Sequence, residues 1–169
     1  TRDSIVRSLE SLRNWNGEMA ADQAAPLMAT YTANYLRRAI ATKAAGTSAA
    51  EWDPYVYFAV IEKLLRTRPE GWFADWGREL LRALQDGVEE GARRQGPDVK
   101  KWKWGEYNQM AVANPILRAV PWAGKYFQIG PVGVSGSSTT VKQTTARLGP
   151  SMRMVVDFGD PRGGLMNLP

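Results

Sequence analysis

Gln95-Gly96-Pro97 divides the chain into two regimes. On its N-terminal side apolar residues recur at helical spacing; on its C-terminal side Gly, Pro, Ser, Thr and β-branched residues accumulate and the period falls to two. Helices followed by strands predict an α+β fold, with about four helices in the first ~95 residues and then a short, mostly antiparallel β region. The expected organisation is a helical region over 1–96 and a region over 97–169 holding a Trp-Gly motif and the strands, together one structural unit.

Outward from the turn toward the N-terminus, Asp75 is placed to cap a helix that carries Trp76, Leu80, Leu84 and Val88 on one side. Glu89 with Arg93 and Glu90 with Arg94 stand at i,i+4 and support its exposed side by about 0.2–0.5 kcal/mol per pair. Gly77, Gly87 and Gly91 weaken it and leave its end undefined. Before it, Asp53-Pro54 supplies an N-cap and a first-turn proline for a helix with Tyr55, Phe58, Ile61, Leu64 and Leu65 on one face, stopped by Arg68-Pro69. Gly46 to Ala50 is a small-residue linker. The preceding helix begins after Asp22, admits Pro26 in its first turn and runs to about Ala45, with Leu27, Met28, Tyr31, Tyr35, Leu36 and Ile40 as its buried stripe and Arg37 and Arg38 off it. The first helix places Ile5, Leu9, Leu12 and Trp15 on one face, between a cap at Asp3 or Ser4 and a stop at Asn16-Gly17.

Outward toward the C-terminus, alternation predicts strands from about Ser138 to Thr145 and again within Gly149-Pro150-Ser151-Met152-Arg153-Met154-Val155-Val156-Asp157-Phe158. In the latter, Met152, Met154, Val156 and Phe158 face one way and Ser151, Arg153, Val155 and Asp157 the other. At a rise of about 3.3 Å per residue Arg153 and Asp157 stand roughly 13 Å apart, so each is expected to reach a neighbouring strand or loop as a positional organiser. Leu165-Met166-Asn167-Leu168 is a further candidate strand, and a chain that stops just after it is expected to be truncated or cleaved.

Composition excludes more than it proposes. The 169 residues are 44% apolar and 23% charged, the balance of a soluble globular domain. No apolar run approaches a membrane span, and Thr1-Arg2-Asp3-Ser4 has no signal-peptide core, so the expected state is cytosolic or already processed. With no Cys there is no disulfide framework, thiolate metal site or Cys nucleophile; with no His there is no Ser-His-Asp triad and no His-metal site in this chain. Carboxylates, Lys, Tyr or a terminal amine are what remain for chemistry. A net charge of +5, from 22 cations against 17 anions, is a mild excess.

Each candidate constellation has a plainer reading. Thr1 has the form of an N-terminal nucleophile with its own amine as base, but it opens a charged helical segment where such a nucleophile opens a buried strand. Lys100-Lys101-Trp102-Lys103-Trp104 interleaves cations and aromatics as a single-strand nucleic-acid surface does. With no second cluster of that kind, it reads as two structural tryptophans separated by solvated lysines. Glu51, Asp53, Asp75, Asp86, Glu89, Glu90, Asp157 and Asp160 show no metal-ligand or two-carboxylate spacing and read as caps or solvated faces. Gly130 to Gly136 has no following Lys or helix to hold a phosphate and reads as a surface loop. Trp15, Trp52, Trp72, Trp76 and Trp122 read as core or interface aromatics.

The order Trp102-x-Trp104-Gly105, Asn114-Pro115-Ile116-Leu117, Phe127-x-x-Gly130-Pro131, Gly136 with Thr140-Val141, and Gly149-Pro150-Ser151-Met152-Arg153-Met154-Val155-Val156-Asp157 resembles the C-terminal part of the β chain of penicillin acylases, or penicillin amidases. Leu12-Arg13-Asn14-Trp15-Asn16-Gly17 and the helices after it look like the segment before that tail, so the resemblance covers most of the chain. Two departures stand out: Tyr107 or Asn108 occupies a position where relatives often carry His, and Val134-Ser135-Gly136-Ser137-Ser138 lacks an acidic residue common before the Thr-Val segment.

The resemblance implies a larger multi-layer hydrolase of the N-terminal-nucleophile type. In it a Ser exposed by self-cleavage attacks an amide with its own amine as base, and an Asn side chain and a backbone amide form the oxyanion hole. Those groups, and a structural calcium in the parent, belong to polypeptide upstream of this segment, so no catalytic and no metal residue is carried over and no substrate-binding residue is assigned. What the resemblance does assign is scaffold: Trp102, Trp104, Gly105, Pro115, Gly149, Ser151, Arg153 and Asp157. The implied partners are the α chain and the N-terminal part of the β chain, with a small-molecule amide such as a penicillin, cephalosporin, acyl-homoserine lactone or lipopeptide as the parent's substrate. Many relatives are exported, which implies a periplasmic or secreted parent. The competing expectation is a stand-alone nucleic-acid-binding or protein-interaction module.

Overall fold

The computed structural model describes residues 2–114, 116–117, 120, 122, 124–146, 148–149, 153–160 and 165–167. They fall into two compact units, Thr1–Gly17 with Ala24–Trp102 and Glu18–Gln23 with Lys103–Pro169. The first unit is helical. Helix α1 spans Arg2–Arg13, α2 Ala25–Ala45, α3 Ala49–Trp52, α4 Phe58–Thr67 and α5 Trp76–Gln95.

Helix α2 begins as the sequence suggests, with Pro26 in its first turn, and ends where Gly46 takes φ +55° and its N–H donates to Thr42 O. Its buried side carries Leu27, Met28, Tyr31, Leu36 and Ile40. Leu36 and Ile40 join Ile61 and Leu64 of α4 and Trp76 and Ala83 of α5 in one apolar cluster. Phe73 closes that cluster edge-on to Trp76, with ring centroids 4.8 Å apart.

Helix α5 runs through all three of its glycines. Asp75 caps it, Oδ1 accepting from Arg78 N–H at 3.0 Å. Its buried residues are Trp76, Ala83, Leu84, Gly87, Val88 and Gly91, while Leu80, expected on that face, is 42% exposed. The small residues explain the difference, because they let neighbouring atoms approach the helix backbone. A Cβ on Gly87 would stand 3.1 Å from Thr32 N on α2, and one on Gly91 would stand 2.5 Å from the Trp102 indole. On the exposed side Glu90 takes both Arg93 and Arg94, leaving the expected pairing of Arg93 with Glu89 unused.

Three further expectations change. On α1 the buried position is Ser8, whose Oγ donates to Ser4 O at 2.7 Å, whereas Leu9 is 47% exposed. A hydroxyl that bonds back to the preceding turn can be buried without an orphaned donor. The Gly46 to Ala50 linker is helical, a 3-10 turn at Gly46–Ser48 leading into α3. The helix expected to start at Asp53 makes only a 3-10 turn, Asp53–Tyr55, and restarts at Phe58. Asp53 does not cap it because its carboxylate is engaged by Arg37, Nε to Oδ1 at 3.0 Å and Nη2 to Oδ2 at 3.3 Å.

The second unit is mostly irregular. Among the described residues it holds one short α-helix, α6 (Trp104–Tyr107), a 3-10 turn at Gly124–Tyr126, and strands β1 (Gln109–Ala113), β2 (Gln128–Gly133), β3 (Arg153–Val155) and β4 (Leu165–Asn167). β1 pairs antiparallel with β2, and β3 with β4. The strand expected near residue 165 is thus present, and the one expected over 151–158 is confined, among the described residues, to 153–155. Ser138 to Thr145 is not a strand: Thr140 Oγ1 accepts from Ser137 N–H at 2.8 Å and donates to Lys142 O at 2.8 Å. Hydroxyls that satisfy the backbone locally compete with a ladder. The Gly130 to Gly136 loop is also corrected, since its first half lies within β2. No helix among the described residues is long and apolar enough to cross a membrane.

Replacing Gly91 by Ala raises helix propensity by about 1 kcal/mol. Trp102 is 1% exposed and its indole N–H is tied to Gly96 O at 2.8 Å, so it cannot retreat. Gly91→Ala is therefore expected to lower stability by about 1–3 kcal/mol through overpacking. Urea denaturation measures it, and unchanged or higher stability would show that the indole yields.

Candidate functional site

The segment Trp102-Lys103-Trp104-Gly105 is where the sequence and the structure concentrate their information. Trp102 and Trp104 are 1% and 3% exposed, and Lys100, Lys101 and Lys103 lie at the surface. Trp102 packs within the helical unit as described above. Trp104 starts α6 in the other unit and donates from its indole N–H to Gly136 O at 2.9 Å. Neither ring has a free face for a nucleobase, so the basic-aromatic run lacks the stacking platform that single-strand binding uses.

Gly105 has no room for a side chain. A Cβ there would stand 3.0 Å from Ala21 O and 3.2 Å from the Gly133 Cα. Its N–H donates to Ala21 O at 2.7 Å, and Trp104 N–H donates to Gln23 O at 2.8 Å. Gly136 N–H donates to Met19 O at 2.7 Å, and Ala21 N–H to Ser135 Oγ at 3.0 Å. Residues 18–23 are thereby laced into the second unit without forming a strand.

Asn108, directly after α6, completes the cluster and was not singled out as a site by sequence. It is 6% exposed, and its amide nitrogen donates to Val134 O at 3.2 Å, Gly136 O at 3.0 Å and Thr144 O at 3.0 Å. An amide has two N–H bonds, so one is shared between carbonyls. Its backbone N–H donates to Trp104 O at 2.8 Å and its carbonyl accepts from Val134 N–H at 2.9 Å. The sequence marks the position only as one where Tyr107 or Asn108 departs from the family pattern; the role of the Asn108 amide is not legible there, since its acceptors lie 26 to 36 residues away.

The remaining scaffold positions are less convergent. Asn114 caps the turn that follows it, Oδ1 accepting from Ile116 and Leu117 N–H at 3.0 Å each. Gly149 lies beside the Met110 thioether. Arg153 pairs with Asn167 through the strand register. Asp157, expected on a strand, lies beyond β3 and accepts from Gly159 N–H at 2.8 Å, because an Asp side chain readily closes a turn on the backbone two residues on. Pro115, Ser151 and Thr1 lie outside the described residues, as does the side chain of Arg153. Of the other tryptophans, Trp76 is buried, but Trp52 and Trp122 are 57% and 76% exposed.

Chemically this cluster holds; it does not react. Indole and amide N–H groups aimed at carbonyls supply neither nucleophile nor base. The helical unit carries an open groove of about 520 Å³ lined in part by Tyr35, Arg38, Phe73, Glu79, Arg82 and Asp86. It mixes cations with carboxylates and so offers no field of one sign to an ionic ligand. Among the described residues no group of three or more carboxylates is placed to hold a metal ion.

Asn108→Ala would leave the Val134 and Thr144 carbonyls short of their side-chain donor, and a loss of about 2–3 kcal/mol is expected, read from Trp near-UV circular dichroism during denaturation. Thr144 is 2% exposed and its Oγ1 has no partner among the described residues. Thr144→Val is accordingly expected to raise stability by about 1 kcal/mol in the same assay. A loss would reveal a donor or acceptor to that hydroxyl.

Comparison with known proteins places this architecture. The acyl-homoserine lactone acylase QuiP of Pseudomonas syringae pv. tomato (strain ATCC BAA-871 / DC3000) is 33% identical over 100 residues, covering 52% of this chain and 12% of that protein. Its namesake from Pseudomonas syringae pv. syringae (strain B728a) is 31% identical over 98 residues, with the same shares. The chain thus spans about 12% of the length of the curated relatives it matches. The family model described as penicillin amidase matches residues 1–169, and the chain belongs to the penicillin amidase family.

Proposed function

We propose that this chain is the scaffold segment of a larger amidohydrolase that cleaves an acyl-amide bond through an acyl-enzyme, with acyl-homoserine lactones first among its candidate substrates. The observation that carries the reading is the use made of Trp102, Trp104 and Gly105. Each is consumed in packing or in hydrogen bonds within its own unit, and none is left to touch a substrate. The names of the similar acylases support the bond type, and membership of the family over all 169 residues supports the assignment to its architecture.

In this reading an N-terminal Ser, carried on another part of the parent, attacks the amide carbonyl while its amine takes the proton; the amine product leaves, and water releases the acyl group. This segment's contribution is to hold the shape against which those groups are ordered, since small misplacements of reacting groups are costly in rate. The rest of the acylase, α chain and N-terminal β portion, is its partner, and export to the periplasm or beyond fits the same resemblance.

The purified 169-residue chain is expected to release no homoserine lactone from an N-acyl-homoserine lactone, while the full-length polypeptide that includes it does. Amine-specific derivatisation of the product reads both. Turnover by the isolated chain above buffer background overturns the scaffold assignment, and an inactive full-length polypeptide across acyl-amide substrates overturns the bond type.

A further inference from the structure

We infer that Asn16-Gly17 is a self-modification site, at which the chain converts its own Asn16 amide into a carboxylate through a succinimide. The Gly17 amide nitrogen attacks the Asn16 side-chain carbonyl carbon, Cγ, and a Cγ–N bond forms. The Cγ–Nδ2 bond then breaks, and ammonia leaves with the proton that the Gly17 nitrogen gave up. Water opens the resulting ring at either carbonyl, breaking one ring C–N bond. One opening gives aspartate; the other gives isoaspartate, whose main chain runs through Cβ and Cγ. Water alone is consumed, and nothing is oxidised or reduced.

Ring closure needs a following nitrogen that is not held in a hydrogen-bond ladder and a backbone free to bend toward the side chain. Helix α1 ends at Arg13, so Asn16 and Gly17 lie outside regular structure, and both are exposed. Gly17 N–H forms no hydrogen bond among the described residues. Gly17 takes φ +86°, which a side chain rarely adopts, and nothing lies within 4 Å of the place a Cβ would occupy.

The same chain holds a control. Asp86-Gly87 has the same ring-closing chemistry, with water as the group lost. There Gly87 is buried within α5, and a Cβ on it would stand 3.1 Å from Thr32 N. A helical peptide nitrogen is held in the i→i−4 ladder and reaches a side-chain carbonyl only after local opening. Asn34 is likewise helical, within α2, and Asn108 commits its amide to three carbonyls. Asn16 is the one asparagine of the chain followed by glycine. Its conversion places a carboxylate just before residues 18–23 and lowers the formal net charge of +5 by one unit. The isoaspartyl product also lengthens the main chain there by one methylene.

The full-length polypeptide and its Asn16→Gln variant are held at mildly alkaline pH and then digested with trypsin. Cleavage after Arg13 and Arg37 puts Asn16 and Asn34 on one peptide, and cleavage after Arg82 and Arg93 isolates Asp86-Gly87. Electron-transfer fragmentation separates aspartate from isoaspartate at each position. Asn16 should convert at least about tenfold faster than Asn34, with isoaspartate among its products, while Asp86 remains aspartate. Asn16→Gln should remove the product, because glutamine has to close a larger ring. Conversion of Asn16 no faster than that of Asn34 overturns the inference, as does a product holding aspartate alone, which is direct hydrolysis. Isoaspartate at Asp86 forming as fast as at Asn16 also overturns it, because the residue pair and not its setting would then decide. Amide-hydrolase activity is not a readout here, so the result stands apart from that of the acylase reading.

Discussion

Carbonyls turned inward at Val134, Gly136 and Thr144 govern the organisation of the second unit. A buried carbonyl without a donor costs more than a typical hydrogen bond returns, and the two short sheets provide few ladder partners. Side chains therefore do what neighbouring strands do elsewhere. Asn108 reaches all three carbonyls and Trp104 shares one of them, which requires α6 to sit where both can point inward. The same substitution recurs at smaller scale, where Asn114 and Thr140 satisfy local backbone in turns. In the helical unit the backbone pairs along the helices with side chains serving at ends such as Asp75 and Gly96, and the constraint on packing is distance: Gly87 and Gly91 admit α2 and an indole against α5.

That difference explains what the amino-acid sequence discloses and what it conceals. Helix ends are local events, so Pro26, Gly46 and Asp75 can be read directly, and the limits of α2 and the start of α5 follow from them, while the three glycines of α5 hide that it runs on to Gln95. Core membership is less local. Periodicity nominates Leu9 and Leu80 by size, while packing selects Ser8, Ala83 and Gly87, because the winning face is the one that another backbone can approach. Asp53 looks like a cap until Arg37, sixteen residues earlier, claims its carboxylate. In the β region, alternation over Ser138 to Thr145 is outweighed by hydroxyls that bond their own turn. Asn108 shows in the sequence only as part of a departure from the family pattern, and its bonding role is hidden because all its side-chain acceptors are remote.

The motif that most resembles a binding sequence turns out to be the one most fully enclosed. Interleaved Lys and Trp suggest contact with a ligand only while both faces of the rings are assumed free. The indoles are committed while the lysines between them lie at the surface, and the motif's value lies in pinning one indole in each unit.

The short passage through residues 18–23 has a consequence for how the chain can be divided. In chain order the polypeptide belongs to the helical unit, then briefly to the other, then to the helical unit again, and finally to the other, so the border is crossed at 17/18, 23/24 and 102/103. A cut after Trp102 would not yield two self-sufficient halves. The N-terminal fragment would retain Met19, Ala21 and Gln23, whose carbonyls are the acceptors for Gly136, Gly105 and Trp104 on the C-terminal fragment. Split halves would be expected to complement one another in the manner of an interrupted polypeptide, with the 18–23 segment acting as the tongue that rejoins them. Circular permutation should be placed away from Asn16-Gly17 for the same reason, since new termini there would untie the tongue at its root.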